Sequence, residues 1–179
     1  MLGIDDDPIA DGIASLQGVP GRMEPIVAGQ DFLVVVDYAH TPDSIRTVLA
    51  AARPLATGQV IVVFGCGGDR DRAKRSPMGA AATEGADLTV ITTDNPRSED
   101  PSAIIAEVER GAIAGGGPYV VEPDRRAAIR LGLREARSGD VVIVAGRGHE
   151  SEQELADASV AFDDRVVVRE ELDAIGGAA

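Results

Sequence analysis

Asp94-Asn95-Pro96-Arg97 brings a carboxylate, an amide, a backbone-stiffening ring and a planar cation into four consecutive positions. Pro96 fixes its own φ and restricts Asn95, so the three polar side chains can be held in one arrangement. The Arg97 guanidinium is a fork that fits a carboxylate, and Asp94 and Asn95 can accept hydrogen bonds from an ammonium group. Those are the groups that recognise an amino-acid head group. Taken alone, the tetrapeptide reads first as an ordinary turn ahead of a capped helix, and its surroundings must decide.

Three further stretches carry chemistry. Gly65-Cys66-Gly67-Gly68-Asp69-Arg70 is glycine-rich, but it lacks both the Gly-Lys-Ser/Thr ending of a Walker A loop and the dinucleotide glycine spacing. It is either a tight turn or a loop that delivers Arg70 to a carboxylate or phosphate. The following Asp71-Arg72-Ala73-Lys74-Arg75 concentrates cations and favours the second reading. Glu150, after Gly146-Arg147-Gly148-His149, is either a carboxylate stabilised at a helix start or an acceptor for a substrate amine. His40 and His149 are the only histidines, each just beyond an apolar run. With one cysteine and two separated histidines, no zinc site is expected, and Cys66 has no local signature of an activated nucleophile.

The elements that must position these groups follow from hydrophobic patterning. Apolar runs at Phe32–Asp37, Gln59–Gly65, Asp87–Thr92, Tyr119–Val121 and Asp140–Gly146 are continuous rather than alternating, the mark of strands buried on both faces. Helical patterns separate them. Thr41 can cap a helix with Pro42 first, Pro77 opens a second after Ser76, Pro101 a third, and Asp124 caps a fourth. A last helix is expected near residues 163–175. Ahead of all this, Asp7 and Pro8 can start a short helix that Gly18 ends, followed by a stiff connector, Val19–Pro25. The fold class predicted is α/β: a Rossmann-like, doubly wound, mostly parallel sheet of about six strands with flanking helices. In such a sheet the polar loops after the strands share one edge, the usual ligand crevice.

Bulk properties narrow the function classes. A net charge of −13 argues against nucleic-acid or anionic-membrane partners. The single cysteine excludes an internal disulfide and suits a reducing compartment; with no basic leader and no long apolar run, a cytoplasmic protein is expected.

In order along the chain, Pro20-Gly21-Arg22-Met23-Glu24, Asp37-Tyr38-Ala39-His40-Thr41-Pro42-Asp43, Phe64-Gly65-Cys66-Gly67-Gly68-Asp69-Arg70-Asp71, Lys74-Arg75, Asp94-Asn95-Pro96-Arg97, Gly148-His149-Glu150 and Phe162-Asp163-Asp164-Arg165 resemble the carboxyl-terminal domain of the Mur ligase family, in its meso-diaminopimelate-adding branch. The resemblance covers nearly the whole chain. It implies an ADP-forming peptide ligase of peptidoglycan synthesis, using ATP and Mg2+, with UDP-N-acetylmuramoyl-L-alanyl-D-glutamate as donor and meso-diaminopimelate as acceptor. Position by position, it implies an amino-acid pocket of Arg70, Asp94, Asn95, Pro96, Arg97, Gly146 and Glu150, and a nucleotide-facing side of Asp37, His40 and Thr41. It further implies that residues 1–30 are a lead-in from the end of a central ATP-binding domain and that 31–179 are the terminal domain. No Gly-Thr-x-Gly-Lys-Thr P-loop occurs in the 179 residues, so the metal ligands and main catalytic groups are expected outside this chain, which would be inactive alone. The sequence departs from the family at Arg147, usually Lys, at Glu152, often aromatic, and at Ser76-Pro77. The alternatives are the same ligase using L-lysine, or a free-standing module that binds a nucleotide or amino acid without chemistry.

Overall fold

The computed structural model describes residues 18–177, so the short helix expected after Asp7 lies outside the described residues. The main sheet contains β1 (Glu24–Pro25), β2 (Leu33–Asp37), β3 (Val60–Phe64), β4 (Leu88–Ile91), β5 (Tyr119–Val121) and β6 (Val141–Ala145), in the spatial order β1-β2-β6-β3-β4-β5. Strands β2 to β6 pair in parallel, and β1 alone runs antiparallel, with Glu24 opposite Val36. The α/β, doubly wound, mostly parallel architecture expected from the sequence is therefore what the chain forms. One reading is corrected. Part of the connector, Glu24–Pro25, is an edge strand; proline is tolerated there because an edge strand can spare an N–H.

The apolar runs serve two cores at once. Along β6, Val141, Ile143 and Ala145 face one cluster, while Val142 and Val144 face the other. Every position of such a strand must be apolar, and each buried Val or Ile stabilises by about 1.5–3 kcal/mol.

Helices α1 (Pro42–Ala52), α2 (Arg75–Gly85) and α3 (Pro101–Gly115) cover the first face, and α4 (Arg125–Glu135) and α5 (Asp164–Gly176) the second. Right-handed crossovers dictate this division. The steps β2 to β3, β3 to β4 and β4 to β5 all travel one way across the sheet, whereas β5 to β6 travels back and puts α4 on the opposite face.

The helix starts follow capping chemistry. Thr41 and Ser44 form a reciprocal capping box at α1, and Asp100, Asp124 and Asp163 accept from backbone N–H groups of Ser102, Ala127 and Arg165. The second helix begins earlier than expected, at Arg75, after a 3-10 turn over Arg72–Lys74. Pro77 sits in its first turn, where a missing N–H leaves no intrahelical bond unmade. A hairpin that periodicity did not reveal, β7 (Glu152–Glu154) paired antiparallel with β8 (Ser159–Ala161), follows the last polar loop. Its strands are short and largely exposed, so no buried face writes an apolar pattern into them.

Candidate functional site

The loops after β2, β3, β4 and β6 meet at the carboxyl edge of the sheet and enclose a cavity of about 340 Å3. The first contributes Tyr38, His40 and Thr41, and the second Gly65, Cys66, Gly67, Arg70, Asp71 and Lys74. The third contributes Asp94, Asn95 and Arg97, and the fourth Gly146 and Glu150. Of the pocket and nucleotide-facing residues that the resemblance implies, Asp37 and Pro96 do not line it, and neither does His149. The Asp37 carboxylate accepts from the backbone N–H groups of Met23 and Ala39, both at 2.8 Å, and so ties the approach to β1 onto the end of β2.

The Asp94–Arg97 wall is cross-linked on every side. Asp94 is buried, and one carboxylate oxygen accepts from the Asn95 N–H at 2.7 Å. The Asn95 amide donates to Glu150 Oε2 at 2.8 Å and, through its oxygen, accepts from the Glu154 N–H at 3.0 Å. Gln153 donates its amide to the Asp94 carbonyl at 2.6 Å, and the Arg97 N–H donates to the Glu154 carbonyl at 3.1 Å. The Pro96 carbonyl accepts from the Glu99 N–H at 3.1 Å and closes the turn. Arg97 holds φ at 51°, a left-handed conformation that non-glycine residues seldom adopt and that these bonds maintain.

Two glycines permit the close fit. A Cβ on Gly68 would lie 1.9 Å from the Pro96 carbonyl oxygen, and one on Gly146, whose φ is 114°, would lie 2.6 Å from Asp94 Oδ2. The glycine-rich loop is in turn zipped to the wall. The Gly68 N–H donates to the Asn95 carbonyl at 2.8 Å, and Arg97 Nη1 donates to the Gly68 carbonyl at 2.9 Å. Asp69, also left-handed at φ 52°, accepts from the Ser98 hydroxyl and N–H, which hold its carboxyl below the usual range.

The opposite side is looser. Arg70 is exposed, and its only hydrogen bond among the described residues is from Nη1 to the Asp69 carbonyl at 3.0 Å. Lys74 Nζ donates to the His40 carbonyl at 2.8 Å, and His40 Nδ1 lies 2.8 Å from the Tyr38 carbonyl oxygen, an acceptor that requires Nδ1 to carry the proton. The Tyr38 ring meets His40 edge-on at 4.6 Å, and Arg22 stacks over it at 4.7 Å. Thr41 spends its hydroxyl on the α1 cap. Cys66 lines the cavity as an inert thiol: burial, and then the charge of Asp94, push it up to about 12, so it carries no nucleophilic thiolate at neutral pH.

Beneath the cavity lies a buried ion pair that sequence reasoning missed. Arg125 Nε and Nη2 donate to the two Asp164 oxygens at 2.8 and 2.7 Å, with side-chain exposures of 1% and 0%. The same guanidinium reaches the carbonyls of Thr93 and Ala145, at the ends of β4 and β6. Burial is the largest single influence and would lower its pKa, but the charge and hydrogen bonds of Asp164, with the charges of Asp94 and Glu150, together raise it. Arg147, the departure from the usual lysine, is also fully buried. It donates through Nη2 to the carbonyls of Glu152 and Phe162, bridging the base of the β7–β8 hairpin, and burial lowers its pKa. Gln153 and Glu154 were missed as well. The only sequence signal available for them was their nearness to the Gly146–Glu150 loop.

This arrangement can bind a zwitterion, since two guanidiniums, two carboxylates and an amide line one cavity. Comparison with known proteins places the same features in context. Residues 21–148 match the Mur ligase, glutamate ligase domain. The chain is 55% identical over 174 residues to UDP-N-acetylmuramoyl-L-alanyl-D-glutamate--2,6-diaminopimelate ligase of Solibacter usitatus, covering 97% of this chain and 35% of that protein. It is 50% identical over 169 residues to the ligase of the same name from Alkaliphilus metalliredigens, covering 94% of this chain and 34% of that one. Among solved structures, a UDP-N-acetylmuramoyl-L-alanyl-D-glutamate--2,6-diaminopimelate ligase superposes with a TM-score of 0.82 at 43% identity, over 97% of this chain and 36% of the other. A UDP-N-acetylmuramate-alanine ligase from Thermotoga maritima, at 20% identity and a TM-score of 0.66 over 99% of this chain and 35% of that one, shares the fold. The chain thus spans about a third of the length of the curated relatives it matches.

Proposed function

The chain belongs to the Mur ligase family, and we propose that it is the amino-acid-selecting terminal domain of an ATP-dependent ligase that joins meso-diaminopimelate to UDP-N-acetylmuramoyl-L-alanyl-D-glutamate. The observation that carries this reading is the presence of Arg70 and Arg97 together with Asp94, Asn95 and Glu150 around a single cavity.

Diaminopimelate has a second amino-acid head group, distal to the amine that reacts. In this proposal its carboxylate lies against Arg97 and Arg70, through charge-assisted bonds to guanidinium. Its ammonium lies against the oxygens of Asp94 and Glu150 that Asn95 leaves free. Gly146 leaves room for that head group beside Asp94, and Pro96 stiffens the turn from behind. Anchoring the far end presents the near amine to an acyl phosphate formed from ATP and the donor carboxylate. The amine, as its free base, attacks the acyl carbon, the bond to the phosphate oxygen breaks, and an amide forms as phosphate and a proton leave; ADP is the product of the earlier phosphorylation. His40 and Thr41 would border the nucleotide, with Asp37 ordering the loop that carries them. Mg2+ and its ligands, the UDP-sugar site and the phosphorylation machinery are assigned to the rest of the enzyme. Residues 1–30 are proposed as the lead-in from the ATP-binding domain, of which Glu24–Ile26 is stitched to the sheet of the 31–179 domain.

L-Lysine lacks the distal carboxylate and would leave both arginines without their partner. Calorimetric titration of the 179-residue chain with each amino acid tests the assignment. Meso-diaminopimelate should bind at least about tenfold tighter than L-lysine, as loss of a charged hydrogen bond implies. Equal affinities, or binding of neither, would overturn it.

A further inference from the structure

The proposed head-group site accounts for Arg97 but not for what holds Arg97. Its guanidinium has three nitrogens, and two are engaged. Nη1 donates to the Gly68 carbonyl at 2.9 Å, and Nε lies 2.5 Å from Glu154 Oε2. Nη2 has no hydrogen bond among the described residues, so the fork is hydrogen-bonded at Nη1, in ion-pair contact at Nε and open at Nη2. Glu154 is itself fixed at the backbone: its N–H meets the Asn95 side-chain oxygen and its carbonyl meets the Arg97 N–H. The neighbouring Gln153, buried, donates to the Asp94 carbonyl. Arg147 pins the base of the same hairpin from beneath through the Glu152 carbonyl.

These contacts differ from an incidental surface ion pair. The Glu154 side chain is 53% exposed and Arg97 only 20%, a setting in which the pair adds little to stability. Its effect is directional instead. A free arginine side chain loses rotamer freedom when a ligand orders it, and one already held by two partners does not. The β7–β8 hairpin reaches the residues from Asp94 to Arg97 without lining the cavity itself.

We propose that Glu154 is a positioning residue for amino-acid recognition: it holds the Arg97 guanidinium so that Nη2 faces the carboxylate of the incoming amino acid. This rests on the head-group reading of the cavity given above. The contact at Nε is an ion pair, not a directed hydrogen bond, so the charge of Glu154 is what holds the fork.

The test is calorimetric titration of the 179-residue chain with meso-diaminopimelate, using Glu154→Ala, Glu154→Gln and Arg97→Ala, with thermal melts of each. Glu154→Ala should weaken binding about fivefold, the size expected when one long side chain must be ordered on binding. Its melting temperature should stay near that of the parent. Glu154→Gln removes the charge of the ion pair and should weaken binding about as much as Glu154→Ala. If Arg97→Ala weakens binding while Glu154→Ala leaves it unchanged or tightens it, the positioning role is wrong and the head-group site stands. If the glutamine variant binds as tightly as the parent, the charge of Glu154 does not hold Arg97 and the positioning role is wrong. Should Arg97→Ala itself leave binding unchanged, the head-group reading fails first and Glu154 loses its role with it.

Discussion

The floor and the rim of the cavity both rest on arginine, and they use it in opposite ways. Arg125 on the floor is sealed from solvent, paired through two bonds with Asp164 and joined to two strand ends. On the rim, Arg70 is exposed and Arg97 partly so, and their partners are carbonyl oxygens and the exposed Glu154. A buried charge cannot lose its partner without a large penalty, whereas a rim charge can exchange its partner for water or a ligand. The floor therefore fixes where the strand ends lie, and the rim keeps its hydrogen-bonding capacity for whatever enters.

Substitutions should separate these two uses, and the largest effect belongs to the floor. Asp164→Ala leaves Arg125 charged, buried and unpaired, and should lower the unfolding free energy by about 3–5 kcal/mol in urea titrations. A loss below about 1 kcal/mol would erase the distinction between floor and rim. Next comes Arg97→Ala, which should cost about 1.5–3 kcal/mol in meso-diaminopimelate binding by calorimetry while changing stability little. A stability loss matching the Asp164 variant would show that Arg97 is a structural arginine too. Arg70→Ala should weaken the same binding by only about 1 kcal/mol, because ordering its free side chain offsets part of what its contact contributes. If the two rim arginines prove equal, the ties on Arg97 carry no advantage.

The smallest effect belongs to the glycine-rich loop, beside which fully buried Arg75 donates to both Glu99 oxygens, at 2.7 and 3.0 Å. Those hydrogen bonds hold the Glu99 carboxyl down at about 2, below its ordinary 4.5. A depressed carboxyl contributes stability that is fully present above its unfolded pKa and lost as pH falls through the folded one. Its share should therefore disappear between about pH 4.5 and 2. Glu99→Gln should flatten the acid limb of the stability curve in that window, and an unchanged limb would assign the acid sensitivity elsewhere.

Much of the fold could be read in advance because buried parallel strands and capped helices each leave a local trace. Val60–Phe64 and Val141–Ala145 are unbroken apolar runs, Thr41 and Asp124 each stand one residue before a helix, and Pro101 is the first residue of another. Loops that follow parallel strands must converge, so the meeting of Arg70, Asp94, Asn95, Arg97, Gly146 and Glu150 at one edge was also foreseeable. What escaped notice has no local trace. Arg125 and Asp164 are 39 residues apart and each sits in a polar stretch. Glu154 lies in a strand of three residues whose only buried member is Gln153. The start of α2 was misplaced because Pro77 marks a first turn without specifying which position in it.

The order of strands also governs how the molecule can be assembled. Before β6 is made, β2 has only β1 beside it, and β3, β4 and β5 form a separate group. Strand β6 then pairs with β2 on one side and β3 on the other, so a late segment joins two early fragments. Contacts so distant in sequence close slowly. A growing chain thus has no continuous sheet until Ala145 is available, and the loop carrying Gly146 and Glu150 follows immediately. The binding edge and the completed sheet therefore come into being in one event, and a nascent chain stopped short of β6 exposes two unpaired strand edges instead of a weakened site.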